Sequence, residues 1–533
     1  MKIRSDILRV YQSLHTWVGI SAGLLLFIGF FAGALTMFKQ PLDQWVSPPV
    51  PLPAVTSEQH IDSLAQQALA QYPAARKGFS VHLRHDNNTA ATMNWTAGRP
   101  GRELDFSAKQ WTASLDETGK LQAKEALPSI LAQMIDMLHR TGGIPGEIGD
   151  EYLGGYLMGV AGILYFLALV SGVILLLPTL VKDFFALRPG KNRKRFWLDA
   201  HNIIGITSLP YHIVISITVI VFAFHDQFYD SLAEVVYKNQ AMFGRPPAAA
   251  ARPYEAKDML PLTSIISKVK AEAGDSRISE IQFFGLESPR PMARVALVNP
   301  RYLVQGPEAG YLIVHPYTGV VINASMLPGK ESTWSAIVGP FFSLHFGSYG
   351  GDMMRWVYFA FGLSGAFLFY SGNLLWLEKR RKVQRPNQAL PVQTLSTRMM
   401  AAGTVGVCLG TVAGVCFTLV AGKLFATTAE NINFVYLFVY YSVFLGALAW
   451  AYLRGAARSS VDLLWLCVIA ALSIPCSSAF MALRSTSNNS LTGLGVELVA
   501  ITMALAFIYA ARKTGKRIRN EAKDSVWSLQ TST

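Results

Sequence analysis

The sequence predicts a polytopic α-helical membrane protein of about eight transmembrane helices that carries two α+β domains outside the bilayer. Three observations predict it: long charge-free apolar runs, basic residues confined to alternate connections, and an internal repeat that places two long polar insertions at equivalent points.

Of 533 residues, 51% are hydrophobic and 15% charged, a balance too apolar for a soluble domain. Charge-free runs fall at 10–38, 152–181, 200–225, 356–377, 399–422, 431–453 and 463–483, each longer than the roughly 18 residues that mark a spanning helix. An eighth run, 491–511, is interrupted only by Glu497, which at the outer end of its helix reads as an interfacial, solvated carboxylate. The first run follows a charged start and contains Ala32-Gly33-Ala34, which imitates a cleavable leader. Its length and the recurrence of its residues later in the chain favour a retained helix.

A net charge of +13 raises nucleic acid as a partner, but the distribution of the charge excludes it. Lys2, Arg4 and Arg9 precede the first helix, and six Lys/Arg lie within each of 182–199, 378–398 and the tail after Tyr509. The short connections on the other side hold only Lys423 and Arg484. The positive-inside rule therefore puts both termini in the cytoplasm and the long connections outside. The resulting domains are 1–38, the N-terminus and first helix; 39–150, the first outer α+β domain; and 151–225, two helices joined by a basic loop. They continue with 226–351, the second outer domain; 352–382, the fourth helix; and 383–533, an appended four-helix membrane domain with a basic tail. Cys408, Cys416, Cys467 and Cys476 all fall inside helices and read as small packing residues. No CxxCH occurs, which excludes covalent c-type haem.

The repeat links the two halves. His15-Thr16-Trp17-Val18-Gly19-Ile20 and His201-Asn202-Ile203-Ile204-Gly205-Ile206 both read H-x-x-x-G-I. Each helix leads to an insertion with a strand–turn–strand unit, Leu115-Asp116-Glu117-Thr118-Gly119-Lys120 and Val314-His315-Pro316-Tyr317-Thr318-Gly319, where Gly occupies the position that needs positive φ. A second histidine follows, in Leu138-His139-Arg140 and Leu344-His345-Phe346. The returning helices share Ser171-Gly172 and Ser371-Gly372.

Histidines in or against apolar segments are costly unless they are paired or liganded. His15 and His201 lie six residues beyond Arg9 and Arg195, about 9 Å past the basic boundary, and are placed to share one inner haem. His139 and His345 stand at the outer interface and are placed to share an outer haem. His212 follows His201 by eleven residues, about 20° away on the same helical face and about 16 Å along it, so it competes for the outer haem. Five candidates, His15, His201, His139, His345 and His212, therefore stand for four axial positions on the iron of two non-covalent haem b groups. Zinc or copper would call for closer ligands, Cys or carboxylates. In the outer segments His82 and His85 read as strand or loop residues and His315 as a turn residue.

The H-x-x-x-G openings, the Thr-Gly turns, the Leu-His segments and Ser371-Gly372-Asn373-Leu374-Leu375-Trp376-Leu377-Glu378-Lys379-Arg380 resemble the PepSY-associated transmembrane family of iron-regulated inner-membrane proteins, over about 8–382. The resemblance implies two periplasmic PepSY-like domains, a location in the bacterial inner membrane, and a ferric-siderophore reductase with two b-type haems. It assigns the ligand roles to His15, His139, His201 and His345, and His212 resembles a version of the third helix that many relatives carry. The expected function is an electron conduit that reduces ferric siderophores in the periplasm. There is no dinucleotide fingerprint and no Walker loop in the chain, so electrons come from membrane quinol or a separate cytoplasmic reductase. The alternatives are a non-catalytic regulator that inhibits a peptidase, which has no use for paired intramembrane His, and an iron-chelate transporter, which calls for broken helices or buried charge.

Overall fold

The structure is a computed structural model. It describes residues 4–46, 58–83, 91–96, 105–149, 151–184, 186–188, 193–236, 238, 253–299, 301, 309–327, 329–330, 333–484 and 493–529. His85 lies outside the described residues.

In chain order the helices begin with α1 (Ser5–Thr36), α2 (Lys39–Val46), α3 (Glu58–Gln71), α4 (Leu131–Thr141), α5 (Leu153–Leu176) and the single turn α6 (Leu180–Asp183). There follow α7 (Arg193–Thr207), α8 (Leu209–Ala223), α9 (His225–Val235), α10 (Leu262–Ala273), α11 (Thr333–Phe346) and α12 (Gly351–Arg380). The last four are α13 (Leu395–Phe425), α14 (Ile432–Arg454), α15 (Ala456–Arg484) and α16 (Leu494–Asn520). The chain divides into two compact units. A helical unit comprises Met1–Ser47, Ile130–His225 and Trp356–Thr533, and a sheet unit comprises Pro48–Ser129 and Asp226–Arg355.

Among the described residues seven helices are long and apolar enough to cross a membrane, α1, α5, α12, α13, α14, α15 and α16. The eighth span differs from the expected straight helix over 200–225. It is the pair α7 and α8, bent by 71° at Ser208. Pro210 stands in the first turn of α8, where it lacks the N–H that a continuous helix would need and crowds the preceding turn. Thr207 and Ser208 turn their hydroxyls back onto the carbonyls of Ile203 and Ile204, a local bond that competes with the helical ladder. His201 and His212 therefore do not share one helical face, and the estimate of their offset along a straight axis is corrected.

The appended helices do not form a separate body. Trp376 and Leu377 of α12 and Ile20 of α1 share one core with Ala401, Val405, Ala451 and Leu463 of α13 to α15. Asn373 Nδ2 donates to Thr404 Oγ1 at 3.3 Å within this core, and Trp527 of the tail is part of it too. The tail is held by polar contacts as well: Asp524 accepts from Gln384 N at 2.7 Å and pairs with Arg381. Cys408, Cys416 and Cys467 are buried and Cys476 is exposed.

The sheet unit also departs from expectation, because the two insertions build one sheet. Its strands are β1 (Gly78–His82), β2 (Met93–Thr96), β3 (Gln110–Leu115) and β4 (Leu121–Ala126) from the first insertion, while β5 (Glu147–Ile148) and β6 (Glu151–Tyr152) form a separate hairpin. The second insertion adds β7 (Arg277–Phe284), β8 (Met292–Val298), β9 (Gly310–Val314) and β10 (Val321–Met326). The order is β10-β9-β8-β7-β1-β2-β3-β4, all antiparallel. The halves join where β1 pairs with β7, Ser80 opposite Gln282, so each half covers an edge that would otherwise be open to other chains. Alternation along β1 buries Phe79 and Val81, which pack with Leu64 of α3, Ile265 of α10 and Phe283 of β7 in one core. The expected Gly turns are present, with φ of 78° at Gly119 and 69° at Gly319. His315 lies in the second of these turns, and His82 of β1 is bonded to Asn94.

Candidate functional site

The imidazoles of His15 and His201 are each oriented by a helix that returns from an insertion. His15 lies ten residues into α1, and its Nδ1 is 2.8 Å from the Ala168 carbonyl of α5. A carbonyl only accepts, so Nδ1 carries the proton and Nε2 keeps its lone pair. Ser171 Oγ stands 3.4 Å from the same nitrogen. In the other half, His201 Nδ1 lies 3.0 Å from Ser371 Oγ of α12. The Ser371 hydroxyl donates to Leu368 O, so its oxygen accepts from the imidazole and selects the same tautomer.

The glycine after each serine leaves room for the ring. A Cβ on Gly172 would stand 3.0 Å from His15 Cε1, and one on Gly372 would stand 3.7 Å from His201 Cε1. The Ser-Gly landmark of the repeat is thus a bracket for imidazole: a hydroxyl behind one nitrogen and an absent side chain beside the ring.

The two brackets bring their histidines together. The ring centroids of His15 and His201 are 6.4 Å apart, with planes 83° apart. Two metal–nitrogen bonds of about 2 Å, plus roughly 1 Å from each nitrogen to its ring centre, come to about 6 Å. The pair fits a metal centre that takes one axial nitrogen from each side, and both residues are half-buried. Supporting groups that fix tautomer and orientation are what ligating histidines require.

The second group is assembled differently. His139 on α4 places Nδ1 2.7 Å from the Gly29 carbonyl of α1, and a Cβ on Gly33 would stand 2.6 Å from the same nitrogen. His212 on α8 meets the Phe30 ring at 5.7 Å. His139 thus packs on the stretch of α1 fourteen to eighteen residues beyond His15, about 21–27 Å along the axis, whereas His212, beside Tyr165 of α5 and Gly365 of α12, stands nearer to the first pair. His212 is fully buried, and both its ring nitrogens lack a hydrogen-bond partner, as does the hydroxyl of neighbouring Tyr165. Orphaned polar atoms of this kind are rare in folded proteins and cost free energy unless a bound group or water satisfies them. His345 belongs to the sheet unit, in the last turn of α11 beside Phe346.

The structure adds residues that sequence reasoning passes over. Ser171 and Ser371 are visible in the sequence as repeat landmarks but not as partners of histidine. Asp43, Asn433 and Tyr441, which hold α4, carry no sequence signal. Glu497 is half-buried and accepts a hydrogen bond from Trp45 Nε1 at 3.3 Å, a partner that its sequence context does not announce.

Compared with known families, the chain matches the PepSY-associated TM region over residues 12–379 of its 533, and it belongs to that family. No curated protein is a significant match.

Proposed function

We propose that this member of the PepSY-associated transmembrane family is a two-haem electron conduit of the bacterial inner membrane, a reductase for ferric chelates of the siderophore class. The observation that carries the reading is the His15–His201 pair, 6.4 Å between ring centres, each ring backed at Nδ1 and each with Nε2 left to bind. Haem b, which would be held by His15 and His201 at one site and by His139 or His212 at the other, supplies when bound a one-electron carrier whose potential follows from ligation and burial, with His345 of the sheet unit the further candidate read from the sequence.

The chain's own residues do the rest. Ala168 O and Ser371 Oγ fix the tautomer that can ligate, and α1 seats His139 about 21–27 Å along its axis beyond His15. The aromatic rings of Phe30, Tyr165 and Tyr211 around His212 exclude water from its imidazole. Basic connections, including the loop where Arg188 and Arg195 pair with Asp199 at 2.8 and 3.2 Å, orient both termini toward the cytoplasm. The donor is membrane quinol or a separate cytoplasmic reductase, and the acceptor is a ferric chelate on the outer side.

A dithionite-reduced minus oxidised spectrum of purified protein tests this. The expected result is a split b-type α band and about two non-covalent haems per chain. Colourless protein from haem-replete cells would remove the conduit and leave a regulator.

A further inference from the structure

We infer that three of the C-terminal helices, α13, α14 and α16, which lie beyond the family match, serve to fix α4 and so position His139; the part concerning His139 rests on the conduit reading. A short helix must find partners for its first N–H groups, and those of α4 are reached by side chains of other helices. Its N-cap residue is Ile130, which has no side-chain acceptor and makes no cap bond.

The caps come from elsewhere in the chain. The Ile130 N–H donates to Asn433 Oδ1 of α14 at 3.1 Å, and the Ala132 N–H donates to Asp43 Oδ1 of α2 at 3.0 Å. Past the other end, where Gly142 closes the helix in the left-handed conformation, the Tyr441 hydroxyl of α14 donates to Gly143 O at 2.8 Å. One helix thus grips α4 at both ends. Asn433 is itself buried, and the Asn431 side chain caps its N–H.

The third cap leads back to the same domain. Asp43 lies on α2, whose position is set by Trp45, a residue 1% exposed. Lys423 of α13 donates to the Trp45 carbonyl at 2.7 Å and lies 4.6 Å from its ring centre, and Glu497 of α16 accepts from its indole. On α4, the His139 ring stands against Gly33, with no space for a Cβ between them. A small displacement of α4 therefore moves the imidazole out of its groove on α1. These appended helices are a brace for one histidine of the second site.

The test uses the full chain in detergent and compares Tyr441→Phe, Asn433→Leu and Asn433→Asp, the last of which keeps the acceptor oxygen. Two readouts are needed: hydrogen exchange of peptides covering 130–143, and haem content with midpoint potentials. Tyr441→Phe and Asn433→Leu should each raise exchange in α4 by about tenfold and shift or remove one haem while leaving the other unchanged. Asn433→Asp should restore both readouts toward wild type. Unchanged exchange in α4 overturns the brace, and faster exchange beside two unchanged haems overturns its assignment to His139. A colourless wild-type protein defeats the conduit reading alone, and exchange then decides whether the brace exists.

Discussion

The two histidine levels of the helical unit are built by opposite means. The His15–His201 level comes entirely from the duplicated unit: each histidine opens a helix of the repeat, and the Ser-Gly pair of the returning helix braces it. The helix that carries His139 takes its support from side chains that have no counterpart in the other half, Asp43 on α2 and Asn433 and Tyr441 on α14. Duplication readily yields two equivalent ligands that meet across the axis relating the halves. It does not supply caps for a short helix at the other level, where added elements do so.

The largest effect expected from this contrast is loss of a cofactor. On the proposed function, His15→Ala and His201→Ala should each remove the same haem, about one per chain, and leave the other spectrally recognisable, because each imidazole would supply one of its two protein ligands. Haem quantification with low-temperature spectra of both variants checks this. Two variants that lose different haems would break the pairing, and a His15→Ala protein with both haems intact would reduce the repeat to a packing device.

A smaller effect separates the two halves within that level. His15 Nδ1–H donates to a backbone carbonyl, with the Ser171 hydroxyl farther away at 3.4 Å, whereas His201 Nδ1–H donates to the Ser371 hydroxyl at 3.0 Å. Ser371→Ala should therefore weaken haem retention by about tenfold or more and raise the midpoint potential, since an imidazole that donates at Nδ1 is the stronger ligand for ferric iron. Ser171→Ala should change little, because Ala168 O remains. Equal effects from both serines, measured by competition with an apo-haem acceptor and by spectroelectrochemistry, would make the halves functionally symmetric.

Much of this was legible in the residues, for physical reasons that also mark the boundary. Charge-free runs and repeated H-x-x-x-G-I and Ser-Gly marks report on burial and packing within one helix, and these survive: His15 and His201 meet, and the Gly119 and Gly319 turns form. Pro210 was also in view, within Leu209-Pro210-Tyr211-His212. Hydrophobicity alone makes 200–225 one helix, but the missing N–H and the ring of Pro210 break it. Joining of the two insertions through β1 and β7 leaves no mark, because alternation fixes which face a strand buries and not which strand it pairs with. The caps on α4 are least legible of all. Asn433 acts on a backbone N–H 303 positions away, through one oxygen that looks like any other asparagine in a helix.

The smallest expected effect concerns pH and again distinguishes the two levels. The braces of the first level, Ala168 O, Ser171 and Ser371, do not titrate, whereas one cap of α4 is a carboxylate. Burial raises Asp43 from the usual carboxylate value to about 6, against the opposing influence of the Ala132 N–H and of Lys39. Because the folded value lies above the unfolded one, the protonated form favours folding; that contribution is complete below the ordinary carboxylate range and is lost as pH rises through about 6. Asp43→Asn keeps an oxygen for the Ala132 N–H and removes the charge. The variant should therefore melt above wild type at about pH 7.5, with the gap closing toward about pH 4.5. Exchange in residues 130–143, corrected for its intrinsic pH dependence, should follow the same course, while residues 165–175 around the His15 brace should show none. A wild-type-to-variant gap that stays constant across this range would mean that Asp43 is ionised at no cost where it stands, and that the second level is no more sensitive to pH than the first.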